Sequence, residues 1–254
     1  MITDWSHAKF GRTGRDVCRL GISASYGVPA SGVEMAFERG VNYIYWGTFR
    51  RAQFGEALRH LKSKREQMFL VIQSYSRLAS LIAPSLERAL RKIGYDHADA
   101  LLLGMWNSAA YPRILDACRK LRDQGLIRHI ALSTHNKPLI PELAPTDIDI
   151  IHVRYNAVRP DWQRPTGLAQ GTVGFTATSW RQLLDPKRTP RGDKVPTATD
   201  CYRFVLSNPD IDICMTGPAT EQHVRESLDA LDRGPMTDDE LAWMRRVGKA
   251  IYGK

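Results

Sequence analysis

Two histidines, two tyrosines and an arginine pair are the residues of this chain best suited to chemistry. His135 and His152 offer imidazoles, which titrate near neutrality and can work as a base and acid pair; hydrogen-bonded histidines shaping a polar rim are the equally weighted alternative. They could also hold a metal, but no third ligand stands at suitable spacing, so no metal site is expected. Tyr45 and Tyr75 bring phenols. Arg50 and Arg51 read as solvated residues opening a helix or as a fork for carboxylate or phosphate. Trp46, Trp106 and Trp180 offer flat apolar walls for an aromatic or polycyclic ligand, or simply packing. Ser74, Asn107 and Arg154 add polar contacts. The Pro/Gly loop "DPKRTPRGDK" gathers Lys187, Arg188, Arg191 and Lys194. It reads as a solvated loop or as a grip on an anion.

Something must bring these scattered positions together. The chain has 254 residues with no Pro/Gly/Ser-rich linker or composition shift, so one domain spanning 1–254 is expected. Its formal charge is +9, with basic residues interleaved with acids along the length. That pattern predicts solvated helix faces, and no nucleic-acid motif accompanies it. No run of 18 apolar residues predicts a spanning helix. The N-terminus lacks the apolar stretch of a secretion signal. The cysteines, at 18, 118, 201 and 214, share no metal or redox spacing, and scattered thiols of this kind predict reduced side chains in a cytoplasmic protein.

Apolar runs alternate with amphipathic helices from one end to the other. "RLGISAS", "YIYW", "MFLVIQSY", "DALLLGMW", "HIALSTH", "IDIIHVRY", "VGFTATSW" and "DICMTG" predict eight buried strands. A Ser31/Glu34 capping box predicts the first helix start, Pro112 a later one, and Thr237/Glu240 the start of an extra C-terminal helix. The helices after strands five and six are predicted to be weak. Eight strand–helix units in about 250 residues predict an α/β fold, the (β/α)8 TIM barrel. Its working face is the C-terminal end of the strands. The strand ends supply Ser25, Tyr26, Tyr45, Trp46, Ser74, Tyr75, Trp106, Asn107, Thr134, His135, His152, Arg154, Ser179, Trp180, Thr216 and Gly217. That ring is aromatic and polar, with almost no carboxylate or lysine.

"FGRTGRDVCRLGIS", "GVNYIYWGTF", "FGEALRHL", "IGYDHADALLL", "LRDQGLIRHIALSTH" and "RFVLSNPDIDICMTGPATEQHVRESL" together resemble the aldo-keto reductases over nearly the whole chain. The resemblance implies a barrel with an N-terminal β-hairpin that, in ordinary members, binds NADPH across the strand ends and reduces carbonyls. It also implies an Asp/Tyr/Lys/His tetrad. There a lysine, anchored by the aspartate, lowers the pKa of the phenol that protonates the carbonyl oxygen, and the histidine orients the carbonyl. In this sequence the four positions fall on Tyr45, on or beside Arg50, on Ser74 and on Gly104. For the cofactor, Ser133 and Thr134 stand where the carboxamide would be held, and His152 replaces a glutamine. In the closing segment Gly217 and Glu226 are kept, while the adenosine-side arginine and asparagine positions read Ala219 and Ser227. Ser179, Lys187 and Arg188 follow strand seven, where the family folds a loop over the pyrophosphate.

Three functions follow as expectations. The first is a small-molecule pocket protein that has lost the reductase tetrad and either binds a ligand or runs an isomerisation, dehydration or cyclisation, with Tyr45, Tyr75, His135 and His152 as catalytic candidates. Its ligand is expected to be aromatic or anionic, with neither nucleic acid nor membrane involved. The second is an NADP(H)-dependent oxidoreductase with other proton donors, and the third a non-catalytic scaffold for an acidic protein partner. Tyr45 is read more as a plug than as an acid, because aromatics at strand ends more often pack than react.

Overall fold

A computed structural model of the chain describes residues 5–47 and 50–252. Thr48 and Phe49, the last positions of the "GVNYIYWGTF" motif, lie outside the described residues. The chain opens with an antiparallel hairpin, β1 (His7–Lys9) and β2 (Asp16–Cys18). Eight parallel strands then close into a barrel: β3 (Leu20–Ser23), β4 (Tyr43–Trp46), β5 (Phe69–Ser74), β6 (Ala98–Leu103), β7 (Ile127–Thr134), β8 (Ile148–Arg154), β9 (Gly171–Phe175) and β10 (Ile213–Thr216). They follow chain order around the ring, with β10 pairing β3. All eight predicted strands are present.

The helices cover the outside: α1 (Ala30–Glu38), α2 (Ala52–His60), α3 (Ile82–Ile93), α4 (Pro112–Asp123), α5 (Ile140–Leu143), α6 (Ala198–Leu206), α7 (Glu221–Arg233) and α8 (Asp238–Ile251). The periodicity that forms them is plain in α3, which buries Ile82, Leu86, Ala89, Leu90 and Ile93 on one stripe. The weak helices behave as their composition requires. α5 is a single turn, and 155–170 joins β8 to β9 without an α-helix.

Caps decide the helix starts, and one expectation fails. Ser31 does not cap α1; the N-cap is Pro29, and the Ser31 hydroxyl instead donates to Glu221 of α7, 2.5 Å away. Proline preceded the serine and set the turn first. Thr237 and Glu240 do form a reciprocal capping box on α8, and Thr197 with Asp200 forms another on α6.

Alternation along the strands separates two apolar clusters. Ile44, Trp46, Leu70, Ile72, Leu101 and Leu132 face the helices. Tyr43, Phe69, Val71, Ala100, Ala131, Ile150, Val173 and Ile213 fill the barrel, joined from below by Phe10 of the hairpin. Phe10 packs edge-on against Tyr43 and Phe69, with ring centroids 5.5 and 5.4 Å apart. The floor is therefore sealed, and only the strand C-terminal ends are left for a site.

Helix α8 is tied on by the Arg203–Glu240 ion pair (2.6 Å) and by Gly248, which lies so close to the Ala157 carbonyl that a Cβ there would overlap it. Gly248→Ala is accordingly expected to lose about 2–3 kcal/mol, because backbone rather than a flexible side chain must give way. Denaturant unfolding of the variant checks this; a loss within 0.5 kcal/mol of zero, about the size of an ordinary surface substitution, would refute it.

Candidate functional site at the strand ends

The inner face of the barrel becomes polar in its last layer. Continuing the alternation from Tyr43 and Phe69, the inward side chains near the top are Ser23, Tyr45, Gln73, Ser133, His152 and Arg154. Between β3, β4 and β5 they leave a cavity of about 50 Å³ lined by Ala24, Ser25, Tyr45, Gly47, Arg50, Gln73 and Tyr75. That volume suits about four waters, or a ligand of about four heavy atoms.

Tyr45 donates its hydroxyl hydrogen bond to Gln73 Oε1. Burial, then the neighbouring Tyr75, pushes the Tyr45 phenol well above its usual pKa, so it is a poor acid at neutral pH. Arg50 reaches the cavity from the loop after β4, in a left-handed conformation (φ 40°). Its Nη2 donates to Ser85 Oγ on α3 at 2.8 Å, while Nε is buried without a partner. Burial and Arg88 lower the Arg50 pKa, and Arg50 alone among the described lining residues carries a charge. Arg50 and Arg51 do not begin a helix as expected: Arg51 is the cap residue and Arg50 precedes it.

The two histidines are not brought together. His152 is buried inside the barrel, its Nε2 2.8 Å from the Tyr43 hydroxyl, and burial drops its pKa to about 3. It is a neutral hydrogen-bonding partner to Tyr43. His135 is an exposed rim residue, edge-on to Phe175 with centroids 5.4 Å apart. Burial, then Arg154, lowers its pKa. The wall residues divide as well. Trp46 is 0% exposed and faces α2, so it cannot touch a ligand in the mouth. Trp106 is 2% exposed beneath Arg77, whose guanidinium carbon lies 4.0 Å from the ring centroid, and beside Tyr111. Trp180 remains exposed under Arg154. Tyr75 is exposed at the cavity edge, and Asn107 bridges loops by accepting from the His135 amide at 2.9 Å. Ser74 faces outward, accepting from the Ser76 amide, so Gln73 is the inner residue at the end of β5. Alternation from Phe69 is the sequence signal that would have selected Gln73.

The residues considered for a cofactor are mostly engaged within the fold. Ser133 Oγ accepts from the Met105 amide at 2.8 Å, and Thr134 from the Asn136 amide at 2.9 Å. Ser179 is buried and donates to Gln182. Gly217 lies under Tyr26, whose ring would be 2.6 Å from a Cβ there. Glu226 on α7 accepts from Gln222 at 3.3 Å. In the basic loop, Arg188 pairs with Asp185 at 3.6 Å and Lys194 with Asp200 at 3.7 Å; Asp185 also caps the Lys187 amide. Folding does gather charge that the sequence spread out. The strand-to-helix loops 24–29, 47–51, 75–81, 104–111, 135–139, 176–197 and 217–220 hold nine lysines and arginines against two aspartates, a net +7 of the chain's +9. No three His, Cys, Asp or Glu among the described residues cluster to hold a metal.

The family model for aldo/keto reductases matches residues 22–170, more than half of the chain. The chain belongs to the aldo/keto reductase family. A search of curated proteins by sequence returns no match. Solved aldo-keto reductases share its fold. One from Klebsiella pneumoniae, in complex with NADP and acetate, superposes with TM-score 0.79 at 18% identity, covering 96% of this chain and 95% of its own. The holo form of an aldo-keto reductase from Bacillus halodurans gives 0.79 at 18%, covering 98% of each. A thermostable aldo-keto reductase, Tm1743, bound to the inhibitor epalrestat gives 0.74 at 20%, covering 95% of this chain and 99% of its own. Within this aldo/keto reductase barrel, Gly104 stands at the end of β6. A Cβ added there would overlap the Gln73 amide and the Tyr75 ring. No helix among the described residues is long and apolar enough to cross a membrane.

Proposed function

We propose that this family member does not reduce carbonyls through an ionised relay and instead binds a small carboxylate-bearing molecule in the cavity at the ends of β3, β4 and β5. The hydrogen bond from Tyr45 to Gln73 carries the reading. It joins two neutral groups: Tyr45, where the resemblance places an aspartate, and Gln73, the inward neighbour of Ser74, on which the resemblance places the lysine. Without a cation beside it, a phenol keeps a high pKa, and burial raises that of Tyr45 further. Tyr75 and Gln73 fill the volume over Gly104, where a histidine would stand. The non-redox reactions lose ground too, since among the described residues neither a histidine nor a carboxylate lines the cavity, and the nearby His152 is buried and neutral. What survives is recognition. Arg50 supplies the charge, while Ser25, Tyr45 and Tyr75 supply hydroxyls.

A second reading, binding of NADP(H) as in the Klebsiella protein, is favoured by the net +7 of the mouth loops. Two measurements separate them. Calorimetric titration with acetate should give saturable binding that Arg50→Met weakens about tenfold, the scale of a lost charge-assisted hydrogen bond. NADPH oxidation with a simple aldehyde should stay at least about 100-fold below the rates of ordinary members, since general-acid catalysis is worth at least that factor. Turnover at ordinary rates would overturn the proposal, as would acetate binding indifferent to Arg50.

A further inference from the structure

Across the barrel from this cavity, the end of β8 holds a guanidinium that the fold leaves uncompensated. Arg154 closes β8, four strands from β4 in either direction around the ring, and by alternation from Ile150 and His152 it points inward. Among the described residues no acid pairs with it and no acceptor meets its side chain. Its Nε is buried without a hydrogen bond. Burial and then Arg159 lower its pKa, so its surroundings add positive charge rather than remove it. Only Nε is shut off from solvent; the residue is half-buried, so the guanidinium keeps an open edge for an incoming acceptor.

It stacks on Trp180, whose ring centroid lies 4.3 Å from the guanidinium carbon. Trp180 is set by an unusual backbone. Ser179, Trp180 and Arg181 have φ of 49°, 51° and 69°, and Thr176 has 58°. Left-handed backbone is disfavoured for every residue with a side chain, and a run of three needs support from its surroundings. That support is visible: the Ser179 amide donates to the Thr176 carbonyl at 2.8 Å, and Asn156 Nδ2 donates to the same carbonyl at 2.8 Å. Strained backbone thus presents a half-exposed indole beneath an unsatisfied guanidinium. His135 lies close enough for the charge of Arg154 to lower its pKa, and as a neutral imidazole it can donate one hydrogen bond into the same space.

We propose that Arg154 and Trp180 form a second subsite that receives an oxyanion on a planar body, an aromatic carboxylate fitting best. The guanidinium fork matches a carboxylate in bidentate geometry, and the indole surface takes the ring. The subsite stands on different residues from the cavity and does not depend on the reading given for it. The two sites lie on opposite sides of the barrel mouth, so Arg50 and Arg154 can be tested separately.

Titration of the full chain with sodium benzoate, and in parallel with inorganic phosphate, tests the subsite. Benzoate should bind saturably and raise the melting temperature. Arg154→Met should weaken binding about tenfold and Arg154→Lys about fivefold, because an ammonium loses the fork. Arg50→Met should leave benzoate binding unchanged. In the absence of ligand, Arg154→Met should lower the melting temperature by no more than about 2–4 °C, since the charge has no use in the fold beyond its stacking on Trp180. Phosphate binding with the same Arg154 dependence would support an oxyanion site. No saturable binding of either anion, or binding indifferent to Arg154→Met, would overturn it.

Discussion

Gln73→Lys is expected to lose about 3–5 kcal/mol of folding stability, and adding Tyr45→Asp is expected to return about half of it. Gln73 is 5% exposed, accepts from Tyr45, and shares its cavity with Arg50. A lysine there would bury an ammonium beside another cation and before a phenol that cannot neutralise it. It could escape only by surrendering its proton, which itself costs stability at pH 7. An aspartate at position 45 supplies the missing anion at the place from which the tyrosine hydroxyl now reaches residue 73. The single change Tyr45→Asp should also be costly, so the informative quantity is the coupling in a double-mutant cycle from denaturant melts. A favourable coupling of about 2 kcal/mol or more is expected. Strict additivity would show that residues 45 and 73 do not face one another in solution.

Acid should weaken the wild type well before its carboxylates titrate. His152, buried against Tyr43, has a folded-state pKa lowered from 6.5 to about 3. A lowered folded value means that only the unfolded chain takes up the proton as pH falls below 6.5. The stability is complete above that value and drains away towards the folded pKa. The slope approaches about 1.4 kcal/mol per pH unit, giving a loss of roughly 2–3 kcal/mol by pH 4.5. His152→Gln keeps a polar partner for Tyr43 without the titration. Its stability should therefore be nearly flat between about pH 6.5 and 4.5, apart from a smaller contribution of the same sign from the more exposed His135. Below that window the ion-paired Asp147, Asp149 and Glu240, whose pKa values are lowered, protonate in both proteins. Parallel pH profiles for wild type and variant would contradict the assignment.

The barrel could be read from the sequence because its signals are local and repeated. Each strand carries its own apolar run, and each helix its own stripe, so small errors at the boundaries do not spread. The cap at Ser31 failed for a local reason as well, since Pro29 had already fixed the turn. The site was harder. Position along the chain puts Trp46 and Ser74 in the mouth, yet both point outward. At a strand end, one residue of register decides between ligand and helix layer. Gln73 gives no signal in the sequence, because a neutral amide implies no chemistry until its partner, Tyr45, is in place. The histidines looked alike in sequence, and burial separates them completely. Likewise the even spread of charge hid its concentration at the mouth, which arises only when the strand-to-helix loops gather on one face.

The packing over Gly104 has a bearing on how such a barrel can be altered, in the laboratory or over generations. A histidine at 104 is blocked while Tyr75 and Gln73 occupy its volume, and a lysine at 73 is penalised while Tyr45 offers no anion. Each step towards a charged relay is harmful until the others are made. Reversal by single substitutions therefore meets a barrier at every first move, and library designs that vary these four positions one at a time will miss any route that exists.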